Sequence, residues 1–316
     1  MKGKSEYKKS LWIRIWKQRY FHLFVLLGVL FLLLFNYLPM FGILMAFKDY
    51  KIQSGIMGIF TSKFVGLKHF NAFFTDYQFG HLMYNTIMLS IAKIVFLFPL
   101  PIFLAIVLSE VRNRTIKRVV QTVSYLPYFI SWVIVAGFCQ ILLSTTNGVL
   151  NDAISALAGQ KLQILTSPKY FMPLAVITAL WKETGWWTII FLAAITSIDP
   201  TLYEAAEIDG ASRLRRISNI TLPGILPTIT VVLILALGSL LGGGLSGSNF
   251  EQSYLLGNGA NQDASRIIQT YVLDIGLAQG RYSYAAAAGL FQSVISVALV
   301  LISNFIARKT TGEGLF

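Results

Sequence analysis

Six long apolar runs, separated by shorter polar segments, dominate the hydrophobic pattern of the chain. A helix needs roughly 20 mostly apolar residues to cross the hydrocarbon core of a bilayer. Inside the bilayer the backbone must satisfy its own hydrogen bonds, so each run is predicted to be a helix. The pattern therefore predicts an all-α, polytopic membrane protein with six transmembrane helices, at residues 21–47, 83–109, 119–143, 171–197, 224–242 and 284–307.

The runs divide the chain into a basic N-terminal tail (1–20), a transmembrane domain (21–307) and a short C-terminal tail (308–316). Two polar stretches interrupt the transmembrane domain, a loop at 199–223 and an outer segment at 243–283. The outer segment is too polar to span a membrane, and long irregular stretches in compact domains are often functional. The first apolar run is much longer than a signal-peptide core, so it is predicted to be retained as a span.

Composition agrees with lipid as the solvent for most of the chain. Only 13% of the 316 residues are charged, whereas soluble domains carry about 25%. The net charge of +12 does not indicate nucleic-acid binding, because the basic residues cluster beside apolar runs rather than along one soluble face. The single cysteine, Cys139, lies inside an apolar run and predicts neither a disulfide nor a metal site.

The distribution of lysine and arginine predicts the orientation of the chain in the membrane. With the N-terminus inside the cell, the cytoplasmic segments hold 16 basic residues and the outer segments hold eight. Cytoplasmic loops of membrane proteins are enriched in Lys and Arg. Both termini are therefore predicted to be cytoplasmic, in a bacterial plasma membrane, and the loop at 199–223 is predicted to face the cytoplasm.

This cytoplasmic loop predicts a rigid unit of two helices joined at a glycine. Asp199 can cap a helix that has Pro200 at its first position, and residues 201–208 are good helix formers. Gly210 is placed to end that helix in a left-handed conformation. A second short helix carries three arginines, and Pro223 is predicted to close the unit. A stiff protrusion of this shape can insert into a partner and transmit force.

The same loop contains the pattern Glu-Ala-Ala, three positions, Gly, nine positions, then Ile-x-Leu-Pro. This pattern resembles the signature loop of the ABC-importer permeases, and every position matches. The resemblance implies that the loop is a coupling region, which docks in a groove of a cytoplasmic ATPase and carries its closure to the membrane. The residues assigned to this role are Glu204, Ala205, Ala206, Asp209, Gly210, Ile220, Leu222 and Pro223.

Further stretches resemble the branch of these permeases that imports oligosaccharides derived from polysaccharides, or lipo-oligosaccharides. They are Thr184-Gly185-Trp186-Trp187, the segment from Ile267 to Gly280, and the ending Gly312-Glu313-Gly314-Leu315-Phe316. The resemblance covers most of residues 20–316 and implies the type I importer bundle. It also implies a second, homologous permease, two cytoplasmic ATPase subunits and an extracytoplasmic solute-binding protein, in addition to the surrounding membrane lipid.

The predicted function is translocation of a sugar, an oligosaccharide, into the cytoplasm. No GxxxxGK[ST] motif occurs in the sequence, so ATP and Mg²⁺ are expected to bind the partner ATPases and no cofactor is expected in this chain. No enzymatic activity is expected, because no catalytic set of side chains stands out. The alternatives are a secondary transporter or channel that works without ATP, and a membrane enzyme, which would need clustered acids or histidines at one membrane face.

Polar and aromatic residues in and beside the spans are candidates for a substrate pathway. Ionisable side chains at that depth usually face a cavity or a partner, and aromatic rings suit the apolar faces of sugars. Lys182 and Trp186 are spaced for a cation–π contact. Pairing of Lys93 with Glu183 would leave Lys182 as a spare positive charge, which would favour an acidic sugar. The candidates are Lys93, Trp181, Lys182, Glu183, Trp186, Trp187, Asn249, Glu251 and Tyr254.

Other interpretations stay open for these residues. The tryptophans would equally suit an aromatic belt at the membrane interface, and the polar residues of the outer segment would suit a solvated loop. Small residues at 285–289, together with Gly276 and Gly280, would allow close approach of a helix from a second permease. Prolines within or near the spans, Pro127 among them, are expected to kink the helices.

Overall fold

The computed structural model describes residue 13, residues 16–312 and residues 314–315. Regular structure in this part of the chain is helical, and its β pairing is limited to an isolated bridge between Lys48 and Phe64. Most of the predicted basic tail, and two residues of the predicted C-terminal tail, lie outside the described residues.

Among the described residues, three helices are long and apolar enough to cross a membrane by themselves, and taking each of three bent pairs as one span gives six. The prediction of an all-α protein with six spans is confirmed. The three single helices are span 1 (Arg19–Phe47), span 2 (Phe79–Glu110) and span 6 (Tyr282–Thr311). Span 3 is the bent pair Arg114–Phe129 and Trp132–Leu142. Span 4 is Pro168–Thr196, which bends into Pro200–Ile208, and span 5 is Leu226–Gly238, which follows the helix Arg213–Gly224 after a bend.

Shorter helices lie between the spans. The outer segment, predicted to be irregular, is largely helical, because its polar residues bond to spans 2 and 4 and so do not need solvent. The connecting α-helices are Gly58–Thr61, Lys68–Phe74, Val149–Ala158, Asn249–Leu256, Gln262–Ser265 and Ile268–Leu273, the last of which continues as a π-helical turn over Asp274–Ala278. The 3₁₀ turns outside span 1 are Ile52–Ser54, Leu126–Phe129 and Leu240–Gly242.

Span 4 is the centre of the bundle. Fourteen of its 29 residues are buried, and it packs against spans 2 and 3 and the outer segment. Contact on all sides explains why its sequence shows no single polar stripe. Span 1 is the opposite case, because none of its most apolar window is buried within the chain. Its side chains are therefore free to contact lipid or another subunit.

Three apolar clusters hold the bundle together. One joins spans 3 and 4 to the outer segment through Phe171 and Ile267. A second joins spans 2, 4 and 5 around Phe191. The third packs Phe73 and Tyr284 beside the short outer helices. Since each cluster includes residues far apart in sequence, the bundle is fixed by long-range contacts rather than by neighbouring helices alone.

The small residues at the start of span 6 pack inside the chain. Ala285, Ala287 and Ala288 are buried, and a Cβ at Gly276 would lie 3.0 Å from the Cβ of Ala285. The expectation that Gly276 and the alanines receive a helix from a second permease is therefore wrong, because the π-helical turn of the outer segment already occupies that surface. Gly280 instead serves a turn, with a φ of +68°.

Candidate functional site

The first half of the unit at 199–223, which is predicted to be cytoplasmic, forms as the sequence predicts. The carboxylate of Asp199 accepts a hydrogen bond from the backbone N–H of Thr201 at 2.9 Å, which caps the helix Pro200–Ile208 and lowers the pKa of Asp199 below its ordinary value. Gly210 follows with a φ of +71°, and the N–H of Ala211 returns to the carbonyl of Ala206 at 2.9 Å. This is the glycine-terminated helix end that satisfies the last carbonyls of a helix.

The second half turns back against the first. Arg216 forms an ion pair with Glu207 at 3.5 Å, and the hydroxyls of Tyr203 and Thr221 lie 2.9 Å apart. The ion pair contributes little by itself, because Glu207 is exposed, but the partly buried hydroxyl pair fixes the angle between the two arms. These contacts join the two halves of the unit, as the predicted rigid protrusion requires.

Pro223 does not close the unit. The helix that begins at Arg213 passes through a π-helical turn over Ile217–Thr221 and continues to Gly224 before bending by 59° into span 5. In that turn the N–H of Leu222 bonds to the carbonyl of Ile217. The wider turn changes the hydrogen-bond register just before the proline, which lacks an N–H of its own.

Exposed apolar side chains surround this unit, and sequence reasoning missed them. Leu202, Ile208 and Leu214 are 52%, 86% and 79% exposed. Apolar side chains grouped on a polar protrusion indicate a protein contact. The signal was present in the sequence, as apolar residues on two short helices that lie between polar positions of the loop.

A layer of buried polar groups crosses the middle of the bundle. Lys93 of span 2 is 1% exposed, and its ammonium donates to Ser248 at 3.2 Å and to Ser246 at 3.4 Å. Glu183 of span 4 is 3% exposed and lies beside Ser248. Lys93 and Glu183 form no direct ion pair within 4 Å in the described structure. Both charged side chains thus approach the same serine of the outer segment, instead of pairing directly as expected.

A further acidic group lies near this layer. Glu251 of the outer segment is exposed and acts electrostatically on Lys93, Lys182 and Glu183. The sequence did not indicate this approach, because Glu251 is distant from spans 2 and 4 along the chain. That Lys182 supplies a spare positive charge for an acidic sugar stays a prediction.

Breaking this layer is expected to destabilise the protein. Lys93→Met should leave the buried carboxylate of Glu183 without its neighbouring cation, and removing one partner of a buried pair costs about 3–5 kcal/mol. Combining Lys93→Met with Glu183→Gln should recover more than half of the loss, which the thermal unfolding midpoint in detergent would measure. Additive losses in the double variant would show that the two side chains do not interact.

Lys182 makes contacts other than the predicted one. It is 6% exposed, and its ammonium donates to the carbonyl of Tyr128 at 2.6 Å and lies over the rings of Tyr128 and Trp132. The expected cation–π contact with Trp186 is absent from this set of described contacts. Trp186 instead stacks on Tyr128 at 4.5 Å between ring centroids, because span 3 approaches this face of span 4 closely.

The remaining pathway candidates are scattered. Trp181 lines an apolar cavity of about 580 Å³ beside Cys139, and Trp187 packs at the edge of the second apolar cluster. Asn249 is buried and donates to Ser90 at 2.7 Å. That these residues line a substrate pathway stays a prediction, since neither their burial nor their contacts reveal a substrate.

Tyr254 lies at a polar cavity of about 590 Å³ in the outer segment. Arg266 reaches this cavity and also a neighbouring one of about 470 Å³, and it forms an ion pair with Asp274 at 2.8 Å. Side-chain amides and hydroxyls supply most of the other polar groups in the larger cavity, namely Ser253, Asn258, Gln262, Ser265 and Thr270. Such groups can bond the hydroxyls of a sugar.

An aspartate ties the outer segment to the start of span 2. Asp76 accepts hydrogen bonds from the hydroxyls of Tyr271 at 2.5 Å and Tyr284 at 2.7 Å, and from the N–H of Gln78 at 2.9 Å. Burial raises the pKa of Asp76, but these bonds outweigh it and lower the pKa below its ordinary value. No group of three His, Cys, Asp or Glu side chains in the described residues could hold a metal ion.

Known proteins resemble the whole chain. Residues 97–312 match the family model of the binding-protein-dependent transport system inner membrane component. The polygalacturonan/rhamnogalacturonan transport system permease protein YteP of Bacillus subtilis (strain 168) is 44% identical over 99% of this chain and 95% of that protein, and protein LplB of the same organism is 44% identical over 95% and 92%.

A solved structure shares the fold. The crystal structure of a bacterial ABC transporter involved in the import of the acidic polysaccharide alginate contains a chain that is 38% identical, with a TM-score of 0.85. The match covers 96% of this chain and 99% of that chain. The predicted type I importer bundle is confirmed. Since the family model covers well over half of the sequence, this chain belongs to the family of binding-protein-dependent transport system inner membrane components.

Proposed function

We propose that this chain is one half of the pathway of an ATP-driven importer that carries acidic oligosaccharides, of the uronic-acid class, into the cytoplasm. The observation that carries the proposal is the stiff cytoplasmic unit between spans 4 and 5, which presents Ile208 and Leu214 to a partner. Apolar side chains on a rigid protrusion gain from docking, because burial removes them from water. A docked unit joined directly to span 4 would move that span whenever the partner moves.

The proposed partners are a second, homologous permease, two cytoplasmic ATPase subunits and an extracytoplasmic binding protein. Span 1 supports a second membrane subunit, because none of its most apolar window is buried inside the chain. The alginate transporter with the similar fold has been solved in complex with an alginate pentasaccharide-bound periplasmic protein. A binding protein is also part of the family's description.

In the proposed function, the partner ATPase subunits bind and hydrolyse ATP. The sequence has no GxxxxGK[ST] motif, so this chain is assigned neither ATP nor Mg²⁺ nor an enzymatic role. The excess of basic residues in the segments at 1–20, 110–118, 198–223 and 308–316 supports cytoplasmic termini. The same orientation supports a coupling role for residues 204–223, since an ATPase must lie on the cytoplasmic side.

The proposal that the substrate is a uronic-acid oligosaccharide is based on two similar proteins. One transports polygalacturonan or rhamnogalacturonan, and the other imports the acidic polysaccharide alginate. In this chain Arg266 lines two outer cavities, where its guanidinium lies over the ring of Tyr271 and pairs with Asp274. A guanidinium is the side chain best suited to bind a carboxylate in two-point contact.

Reconstituted transport tests the proposal. The complex purified with this chain should contain an ATPase, and proteoliposomes with a loaded binding protein should take up labelled oligogalacturonides with ATP and not with a non-hydrolysable analogue. A neutral oligosaccharide of equal length is the matched control and should enter more slowly. Uptake by this chain alone, driven by an ion gradient, would establish the secondary transporter instead. ATP-driven uptake of the neutral sugar alone would overturn the substrate class.

A further inference from the structure

Span 3 is broken in the middle of the bundle. Its two halves meet at an angle of 97°, after a 3₁₀ turn over Leu126–Phe129 that contains Pro127. Ser131, the residue before the second half, provides no side-chain cap. A break of this kind leaves backbone groups without partners inside the helix, and within a membrane span other parts of the protein must satisfy them.

Lys182 satisfies one of these groups. Its ammonium donates to the freed carbonyl of Tyr128 at 2.6 Å and lies 5.0 Å and 5.5 Å from the ring centroids of Tyr128 and Trp132. It therefore contacts both halves of span 3, one on each side of the break. A lysine is costly at this depth, and such residues mark function.

Two further residues of span 4 hold the same turn. Trp186 stacks on Tyr128 with an interplanar angle of 6°. Gly185 lies so close to span 3 that a Cβ there would be 2.1 Å from the carbonyl oxygen of Ser124. A hydrogen bond, ring contacts and close backbone packing thus all hold one face of span 4 against span 3 at the break.

The same helix leads to the cytoplasmic unit. Span 4 runs without interruption from Lys182 to Thr196, and Asp199 then starts the helix Pro200–Ile208. At 1.5 Å per residue, Lys182 lies about 20 Å from the cytoplasmic end of the span. A rigid helix of this length carries a displacement from one end to the other.

We propose that Lys182 is a positioning residue that holds the broken turn of span 3 to the middle of span 4, so that movement of the cytoplasmic unit reaches the outer half of span 3. The proposal rests on the proposed function, since it needs an ATPase to move the unit. Its test therefore includes a readout that does not depend on transport.

The first readout is the geometry of the break. Cys139 is the only cysteine, so Cys139→Ala gives a background for spin labels at Val119→Cys and Ile141→Cys, which are exposed positions on the two halves. The nucleotide-free complex should show one narrow distance distribution between the labels. Lys182→Met should broaden it at least twofold, and Lys182→Arg, which can still donate to the carbonyl and stack on the rings, should restore it.

The second readout is coupling. Lys182→Met should lower ATP-driven uptake of oligogalacturonides at least tenfold while the basal ATPase activity of the complex changes less than twofold. Lys182→Arg should restore uptake to within about threefold of the wild type. Lys169→Met is the matched control, because Lys169 lies on the same helix over the ring of Tyr170 but is exposed. That control should leave uptake and the distance distribution unchanged.

The outcomes separate the two proposals. A narrow distribution and normal uptake in Lys182→Met would overturn the positioning role. If that variant does not accumulate, Lys182→Gln removes the charge over both rings and shortens the donor to the carbonyl, and an unchanged distribution there would overturn the role equally. A wild-type complex without ATP-driven uptake would refute the proposed function, while the spin-label distances would still decide whether Lys182 holds the break.

Discussion

Gly210→Val is expected to separate the permease from its ATPase. The residue has a φ of +71° with open space around its Cα, so the penalty comes from the backbone and not from a clash. A β-branched residue in the left-handed region costs about 1–3 kcal/mol, which weakens docking of the intact unit about five- to 150-fold. Co-purification of the ATPase and ATP-driven uptake should fall together.

Two substitutions control for this effect. Gly159→Val places the same residue at the same φ of +71°, again with nothing within 4 Å, at the end of the outer helix Val149–Ala158. Uptake should be retained there, because that helix end is far from the ATPase. Gly210→Asn should be milder than Gly210→Val, since asparagine tolerates the left-handed conformation. Full ATPase recovery with Gly210→Val would contradict the assignment of the coupling loop.

Gly185→Ala is expected to destabilise the bundle itself. The added Cβ would meet the backbone of Ser124 and Tyr125 at 2.1–2.6 Å, and backbone on a packed helix cannot rotate away as a side chain can. Overpacking of this kind costs about 1–3 kcal/mol or more. The midpoint of thermal unfolding in detergent should drop by several degrees, and less protein should reach the membrane.

Gly137→Ala is the matched control for that substitution. Gly137 also lies within a membrane helix, in the second half of span 3, but nothing lies within 4 Å of its added Cβ. Alanine is a better helix former than glycine by about 0.5–1 kcal/mol, so stability should hold or rise. Equal midpoints for the two variants would show that spans 3 and 4 do not approach as closely at Gly185 as the structure indicates.

Local features of the cytoplasmic unit were readable from the sequence. Asp199, Pro200 and Gly210 each act on their own neighbours, through a cap, a preset φ and a left-handed end. Such interactions need no distant partner, so spacing alone predicts them. The predicted end of the unit at Pro223 was wrong, because the helix continues to Gly224 after a π-helical turn. The sequence does not distinguish such a turn from a helix end.

The buried polar layer was only half predictable. That Lys93, Lys182 and Glu183 would be functional or structural followed from finding charges inside apolar runs. Their partners did not follow, because Ser248 and Glu251 come from a segment that looked irregular and Tyr128 comes from a broken span. Lys182 contacts Tyr128 rather than Trp186 because span 3 bends by 97°, and the hydrophobic periodicity of the sequence does not predict that bend.

The sequence by itself determined that most of the chain lies in lipid, how many spans it has, the shape of the unit at 199–223 and, by resemblance, the family. Each of these depends on residues within one helix or one turn, where hydrophobic length and backbone preference decide the outcome. Only the tertiary structure decided which charges meet, where span 3 breaks and what holds the break. Those features arise from the packing of spans 2, 3 and 4 with the outer segment, and contacts between residues more than fifty positions apart leave no local pattern in the chain.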